Sequence, residues 1–505
     1  MKPKPLSQLL LAAGVIPTTE HDPTVSGVTE DSREVQPGWI FVAVPGTKED
    51  GSKYAAAASM RGAAAIVAER PVESELPVVL VPSARQTLAD MAAELFDHPS
   101  KLLSVAGVTG TDGKTTTSYM LASIMFKLGI PTGMITTVET RVGGISIGGR
   151  GRLTTPSAPF IQQTLAKMVD AGDKAAVLEC SSHALAQERV RRVTLRTAAI
   201  TNVASDHIEF HGSPQAYLEA KAGIFDLVAE GGAILLNHDD PASMSLVPSL
   251  NGPVLTYGLN HEADLRARDV KSDLHSSTFV VEYSSIELSA SIPIGGRFNV
   301  SNALAAVGMA MRLGVSFPQA VAALAHAETP PGRLQRVRAG QPFSLFVDYA
   351  HTEQAFESAL RFLRSSTGGT TGRLIAVFGA AGNRDAAKRP RLAQIAAEVC
   401  DYFILTNEDP FGEDAELILA EVASGAPEST RDDQWMAILD RKEAIRSALA
   451  MARSGDVVAI TGKGHETSIA AGDTAIPWSD VEVASELLTG MGYSESAVTA
   501  EPTAR

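Results

Sequence analysis

The chain has 505 residues, 45% of them hydrophobic, which at roughly 150 residues per domain leaves room for about three domains, each with its own core. A net charge of −15 argues against sequence-independent binding of nucleic acid but leaves room for a locally basic pocket that holds small anions. No apolar run approaches the roughly 18–20 residues that cross a bilayer, so no stable membrane insertion is expected. The two cysteines, Cys180 and Cys400, lie far apart and outside any metal-ligand spacing, which fits reduced thiols in a cytoplasm and argues against a zinc site.

Taken in chain order, MKPKPLSQLLLAAGVIP carries an apolar stretch of only about eight residues, ended by Pro17, and reads as a first helix rather than a leader peptide. Strands are expected at 39–44 (WIFVAV) and 64–69 (AAIVAE) around an alanine-rich helix, giving a small α/β domain over 1–100. A second block, 101–331, opens with the apolar strand LLSVAGVTG (102–110), a glycine turn and the helix-like SYMLASIMFKLG. Further strands at 175–180, 197–203 and 232–237 predict a mostly parallel sheet covered by helices, a doubly wound domain of the P-loop ATPase type. Paired prolines and a glycine in PPGRLQ (330–335) mark the next break. A third block, 332–494, alternates through SLFVDYA, RLIAVFG, YFILTN and DVVAITG and reads as a Rossmann-like domain. The expected fold class is therefore α/β in three domains, with 495–505 a disordered tail.

Chemistry concentrates first in GVTGTDGKTTT (107–117), where a strand, a glycine turn, Lys-Thr and a helix wrap backbone amides around phosphates. Gly110, Thr111, Asp112, Gly113 and Thr116 belong to that turn; Lys114 would hold phosphate oxygens and Thr115 would ligate Mg2+. The glycines fall at 107, 110 and 113, so the loop is a variant of the usual spacing. Glu179, in LECSSHAL, ends an apolar strand at the edge where open α/β sheets place ligand groups. His207, in SDHIEFHG, follows another strand of the same sheet. With Thr115 these two could place one or two divalent cations on the terminal phosphates of ATP. Each also has a plainer explanation: a helix-capping carboxylate for Glu179, a structural histidine for His207 and, for Lys221 in AYLEAKAGIF, an exposed helical lysine.

These segments, together with RFNVSNALAA (297–306), PGRLQ, VDYAHT (347–352) and GKGHET (462–467), occur in the order and spacing of the Mur ligases of peptidoglycan synthesis, which the chain resembles to about residue 490. It is most similar to members that add the third residue, usually a diamino acid, to UDP-N-acetylmuramoyl-L-alanyl-D-glutamate. The resemblance implies a cytoplasmic, monomeric, ATP-dependent ligase that activates the D-glutamyl γ-carboxylate as an acyl phosphate and passes it to a free amino acid. It further implies that Asn302, Arg333 and Asp348 contact the nucleotide, and that Lys221 carries a carbamate able to bind a second Mg2+. The uridine nucleotide would dock on TEDSREV (29–35), through Ser32, and on PGTKEDG (45–51). Thr154, Thr155, Ser181, Gln187 and Arg189 match contacts to the muramoyl-dipeptide, Arg189 holding a carboxylate bidentately. Arg384, Gly462 and Glu466 match contacts to the amino acid.

Members that use meso-diaminopimelate usually show Asp-Asn-Pro-Arg after the corresponding strand, whereas this chain has Glu408, Asp409, Pro410 and Phe411. Without that arginine, and with Asp409 as an extra acid suited to a distal ammonium, L-lysine or L-ornithine is expected. Diaminopimelate stays open if Lys388 or Arg389 substitutes. The competing readings are a folylpolyglutamate-synthase-like ligase, a non-catalytic nucleotide-binding regulator and a phosphotransferase.

Overall fold

The structure, a computed structural model, describes residues 2–17, 21–46, 49–148, 153–204, 206–250, 252–367 and 372–494. The expected tail over 495–505 lies outside the described residues, as do Thr47, Lys48, Arg152 and Ser205 of the sequence motifs. The apolar stretch near the N-terminus forms a short helix, Leu6–Ala12, that buries Leu6, Leu9 and Leu10 in the first core. Four parallel strands follow in spatial order Gly27–Thr29, Trp39–Ala43, Ala65–Ala68 and Val78–Leu80. One core lies around Leu88 and Met91 and another around Phe41 and Ile66, so strands such as Trp39–Ala43 are apolar almost throughout.

The second sheet has eleven strands. Its middle runs parallel in the order Thr132–Ile135, Ala175–Glu179, Ser104–Thr109, Leu195–Ile200, Val228–Asn237, Val254–Gly258 and Leu265–Ser272. Antiparallel strands extend both ends: Thr140–Val142 and Ile145–Ser146 on one side, Ser277–Tyr283 and Ile286–Ile292 on the other. This sheet is more mixed than the expected one. Buried and more exposed residues alternate along Ser277–Tyr283, so these outer strands do not read as apolar runs.

The third sheet has six strands, in the order Gln335–Val337, Ser344–Asp348, Val457–Thr461, Leu374–Phe378, Tyr402–Leu405 and Trp435–Ala437, parallel except for the first. A single apolar cluster runs from Tyr119 and Leu304, on the helices Lys114–Lys127 and Arg297–Arg312, to Phe346, Phe356 and Phe378 of this last unit. The phosphate-loop helix is thereby tied to the third sheet. Both cysteines are buried free thiols, and no helix among the described residues is long and apolar enough to cross a membrane.

In the third unit Arg441 and Asp480 form a fully buried ion pair, with Arg441 Nη2 2.7 Å from Asp480 Oδ2 and Nε 2.8 Å from Oδ1. The guanidinium also donates to the carbonyls of Asn407 and Thr461, at 3.1 and 2.8 Å, and so fixes two strand ends relative to each other. Asp480→Ala would strand a buried guanidinium, at a cost of roughly 3–5 kcal/mol. A lowered unfolding midpoint of this unit in denaturant is expected, and an unchanged midpoint would contradict the assignment.

Candidate active site

The strand Ser104–Thr109 ends in a turn that must pass close to its neighbours. Gly110 has φ +150°, and a Cβ there would collide with the Thr201 hydroxyl. Gly113, at φ +83°, precedes the helix Lys114–Lys127, and a Cβ there would strike the Asn302 side chain. That helix has no side-chain cap at its N-terminus, so its first N–H groups stay available to an anion. The turn is fastened from behind: Thr111 N donates to Asn202 O at 2.8 Å, Asp112 N to Asn202 Oδ1 at 3.0 Å, and the Thr111 and Tyr217 hydroxyls meet at 3.1 Å.

Two lysines converge on this turn. Lys114 Nζ donates to the carbonyls of Gly110 (3.0 Å) and Thr111 (2.8 Å), and Lys221 Nζ donates to the same Gly110 carbonyl at 2.6 Å. Lys221 is 1% exposed and lies over the Tyr217 ring, which rules out the plain exposed-lysine explanation. Burial, and secondarily the Lys114 charge, holds its amine well below the usual lysine range. Beside it Glu179 accepts from the hydroxyls of Thr115 (3.0 Å) and Thr137 (3.0 Å) and from Thr137 N (2.9 Å). His207 sits at φ +53°, with Nε2 3.4 Å from Asp206 Oδ2 and its ring against that of His183 at 4.6 Å. Burial lowers the pKa of His207, and that of His183 to about 4, so both imidazoles are neutral at neutral pH, the form that can ligate a metal.

Thr115 and Glu179 meet at 3.0 Å and His207 lines the same cavity, donors of a kind that suits Mg2+. No group of three or more His, Cys, Asp or Glu side chains among the described residues is assembled to hold a metal ion by itself. Magnesium is usually bound by one or two carboxylates with substrate phosphates completing the shell, so the two observations agree.

The nucleotide candidates close over the turn. Arg333 Nη2 is 3.3 Å from Thr115 Oγ1 and its guanidinium stacks on Tyr349. Both Asp348 oxygens are held by backbone, Leu334 N at 2.6 Å and Ala350 N at 2.7 Å. Thr352 caps the helix Glu353–Ser366 and also faces the Asp112 carboxylate at 3.4 Å. Asn302 accepts from Thr117 Oγ1 at 3.5 Å.

A cavity of about 680 Å³ runs from the phosphate turn to the strand ends of the third sheet. It brings together Gly110 to Thr116, Thr154, Glu179, Ser181, Arg189, His207, Lys221, Asn302, Arg333, Asp348, Arg384, Glu408, Asp409, Phe411, Gly462 and Glu466. Four of the expected site residues are not in its lining: Ser32, Thr155, Gln187 and Pro410. Ser32 is buried in the first domain, while Thr155 is fully buried, where it donates to Glu179 O at 2.8 Å and accepts from Ser181 N at 2.9 Å. Thr155 therefore acts as a brace. Gln187 accepts from Arg189 Nη2 at 2.5 Å and orients that guanidinium.

At the far end two expectations need correcting. Asp409 is not an acid held open for a distal ammonium: its Oδ2 is 2.9 Å from Lys463 Nζ and its Oδ1 accepts from Ala470 N at 2.7 Å. Lys463 is fully buried and also pairs with Glu466. Arg389 is not placed to substitute for a missing arginine either, since it is buried in ion pairs with Glu413 (2.9 Å) and Glu421 (2.6 Å). Lys388 does line the cavity, donating to His351 O at 3.0 Å, and Arg384 lies 5.4 Å from the Phe411 ring.

Sequence reasoning missed Thr137, Tyr217, Thr352 and Lys463. Lys463 stood inside a quoted motif and could have been found there. Thr137 follows an unrecognised strand and carried no signal.

Three family models match: "Mur ligase family, catalytic domain" over residues 24–95, "Mur ligase middle domain" over 108–310, and "Mur ligase, glutamate ligase domain" over 332–464. A UDP-N-acetylmuramyl-tripeptide synthetase of Roseiflexus sp. (strain RS-1) is 40% identical over 94% of this chain and 96% of its own length. A UDP-N-acetylmuramoyl-L-alanyl-D-glutamate--2,6-diaminopimelate ligase of Syntrophomonas wolfei is 36% identical over 93% of this chain and 96% of its own. A solved structure of a ligase of that second name superposes with a TM-score of 0.66 at 28% identity, covering 96% of this chain and 99% of that one. With relatives this close along nearly its whole length, the chain belongs to the Mur ligase family, whose members are ATP-dependent amide-forming ligases.

Proposed function

We propose that the chain joins L-lysine or L-ornithine to the D-glutamyl γ-carboxylate of UDP-N-acetylmuramoyl-L-alanyl-D-glutamate, through an acyl phosphate made with ATP. The observation that carries this reading is one continuous cavity with a two-lysine phosphate turn at one end and Glu408, Arg384 and Phe411 at the other. Residues 1–100 would take the uridine nucleotide, 101–331 ATP, and 332–494 the amino acid. Thr154, Ser181 and Arg189 line the same cavity and would take the dipeptide.

In the first step the γ-carboxylate attacks the γ-phosphorus of ATP and ADP leaves. Lys114 and the N–H groups of the uncapped helix spread the charge that develops on the phosphoryl oxygens. Mg2+, held by Thr115, Glu179 and His207, would supply further charge neutralisation between the two anions. Burial shifts the Lys221 amine towards the neutral form, the form that takes up carbon dioxide, which supports the carbamate and a second Mg2+ there. In the second step the amine attacks the acyl phosphate, giving the amide and inorganic phosphate.

Selectivity for a diamino acid with a distal ammonium rests on Phe411 standing where diaminopimelate-adding relatives usually place arginine. Diaminopimelate is the second reading, favoured by Lys388 and Arg384 in the cavity wall and by the names of relatives. The folate-type reading is weakened by the match of residues 24–95 to a Mur ligase model.

Lys114→Ala should cut ATP-dependent phosphate release at least about 100-fold, the cost of removing one preorganised charge, with the fold retained by circular dichroism. Turnover near the wild-type rate would remove the nucleotide assignment. Lys221→Ala should lose activity and recover part of it with added acetate or propionate; a variant that stays inactive leaves the carbamate unsupported. Phe411→Arg offers a distal carboxylate a charge-assisted bond of roughly 1.5–3 kcal/mol, and should move the kcat/KM ratio towards meso-diaminopimelate by about 10- to 100-fold. An unmoved ratio would place selectivity elsewhere.

A further inference from the structure

Three carboxylates gather at the amine end of the cavity: Glu408, Asp409 and Glu466. Two of them are paired with a neighbouring lysine. Asp409 is held by Lys463 Nζ at 2.9 Å and by the N–H of Ala470 at 2.7 Å, and Glu466 pairs with the same Lys463. Glu408 differs: it is 6% exposed, its side chain lines the cavity, and no hydrogen bond or ion pair among the described residues engages its carboxylate.

The backbone makes room for this group. Gly462, at φ +102° after the strand Val457–Thr461, lies so close that a Cβ there would collide with the Glu408 carboxylate. The residue before Glu408, Asn407, is anchored through its carbonyl to Arg441 at 3.1 Å, and Arg441 is itself neutralised by Asp480. Glu408 is therefore held by its backbone and left open at its oxygens.

An amino acid reaches the enzyme as an ammonium ion, whose nitrogen has no lone pair to offer. Attack on the acyl phosphate requires that a proton be removed inside a cavity that must exclude water. We propose that Glu408 is the proton acceptor for the incoming amine, a role that rests on the ligase reading above. One ammonium proton passes to a Glu408 oxygen, and the freed lone pair forms the C–N bond at the acyl carbon. The C–O bond to phosphate then breaks with its electron pair going to the phosphate oxygen, which carries away the second proton. Glu408 returns its proton to solvent when the product leaves.

The electrostatics agree with the geometry. Burial raises the Glu408 pKa to about 7 against the opposing pull of Arg441, Lys463 and Lys388, with Asp409 adding to the rise. A proton acceptor works best when its pKa lies near the operating pH. The competent form is the carboxylate, so amine-dependent turnover should fall as pH drops through about 7.

The test compares wild-type protein with Glu408→Gln, supplied with ATP, Mg2+ and UDP-N-acetylmuramoyl-L-alanyl-D-glutamate, and with two nucleophiles. L-lysine or L-ornithine must be deprotonated, whereas hydroxylamine is largely neutral at pH 7 and traps an acyl phosphate unaided. Glu408→Gln should lose about 100-fold or more of amino-acid ligation. It should still form hydroxamate, which also reports a folded protein, and its remaining ligation should lack the acid limb near pH 7. Glu408→Asp should recover part of the rate with that limb present. Equal loss with both nucleophiles would assign Glu408 a structural role and overturn the proposal, as would ligation retained with the wild-type pH profile. A wild-type protein that yields neither product would instead refute the ligase reading beneath it.

Discussion

Everything at the phosphate end depends on two lysine amines sharing the carbonyl of Gly110. Two ammonium groups crowd each other in a dry pocket, and burial, with the charge of Lys114 behind it, holds the Lys221 amine well below the usual lysine range. Lys114 is half-buried and parked on the carbonyls of its own turn, with no ion pair to a carboxylate among the described residues. That arrangement, beside an uncapped helix terminus, is one that the phosphates of a nucleotide would suit under the proposed function. The glycines at 110 and 113, the hydroxyl of Thr201 and the side chain of Asn202 all serve to hold the turn in this shape.

The amine end is built on the opposite plan. Its charges cancel in pairs, Arg441 with Asp480 and Lys463 with Asp409 and Glu466. Buried ion pairs of this kind add little net stability, but losing one partner is expensive, so they fix geometry more than they strengthen the fold. Their effect here is subtraction: of several acids at the strand ends, pairing leaves Glu408 open to the cavity. Phe411, fixed at φ +51° and bonded through its N–H to Ala470 O at 3.0 Å, then sets the apolar side of the same space.

How much of this could be read from the sequence follows from the physics of each signal. Buried parallel strands such as Ser104–Thr109 and Leu374–Phe378 are continuous apolar runs and were visible, as was the phosphate turn, whose glycines are forced by close approach. The outer antiparallel strands of the central sheet were not, because their alternating residues resemble loop sequence. Among the candidate site residues, Glu179 was legible from its place at a strand end, whereas Asp348 came only from the resemblance of VDYAHT to the family. The state of Asp409 was not, since its partner Lys463 is 54 positions away and only the folded sheet brings them together. Thr155 and Gln187 were expected as substrate contacts from the resemblance, but their bracing of Glu179, Ser181 and Arg189 depends on hydrogen bonds that no spacing reveals.

In the proposed reaction an acyl phosphate exposed to water would be lost, so the two ends would have to be enclosed together once the nucleotide is in place. The contacts that would couple them are already paired across the cavity. Arg333 reaches Thr115 at 3.3 Å, and Thr352 faces Asp112 at 3.4 Å while capping the helix Glu353–Ser366. Both join the phosphate turn to the third unit, and both are long for hydrogen bonds that involve a charged group. Burial raises the pKa of Asp112 against the opposing pull of Lys114 and Arg333. A nucleotide that drew Arg333 and Thr352 inward would tighten the same seam that the shared apolar cluster of Tyr119, Leu304 and Phe356 already holds. Under the proposed function, filling the phosphate turn and closing the amine end would then be one movement, as a reaction with a water-sensitive intermediate requires.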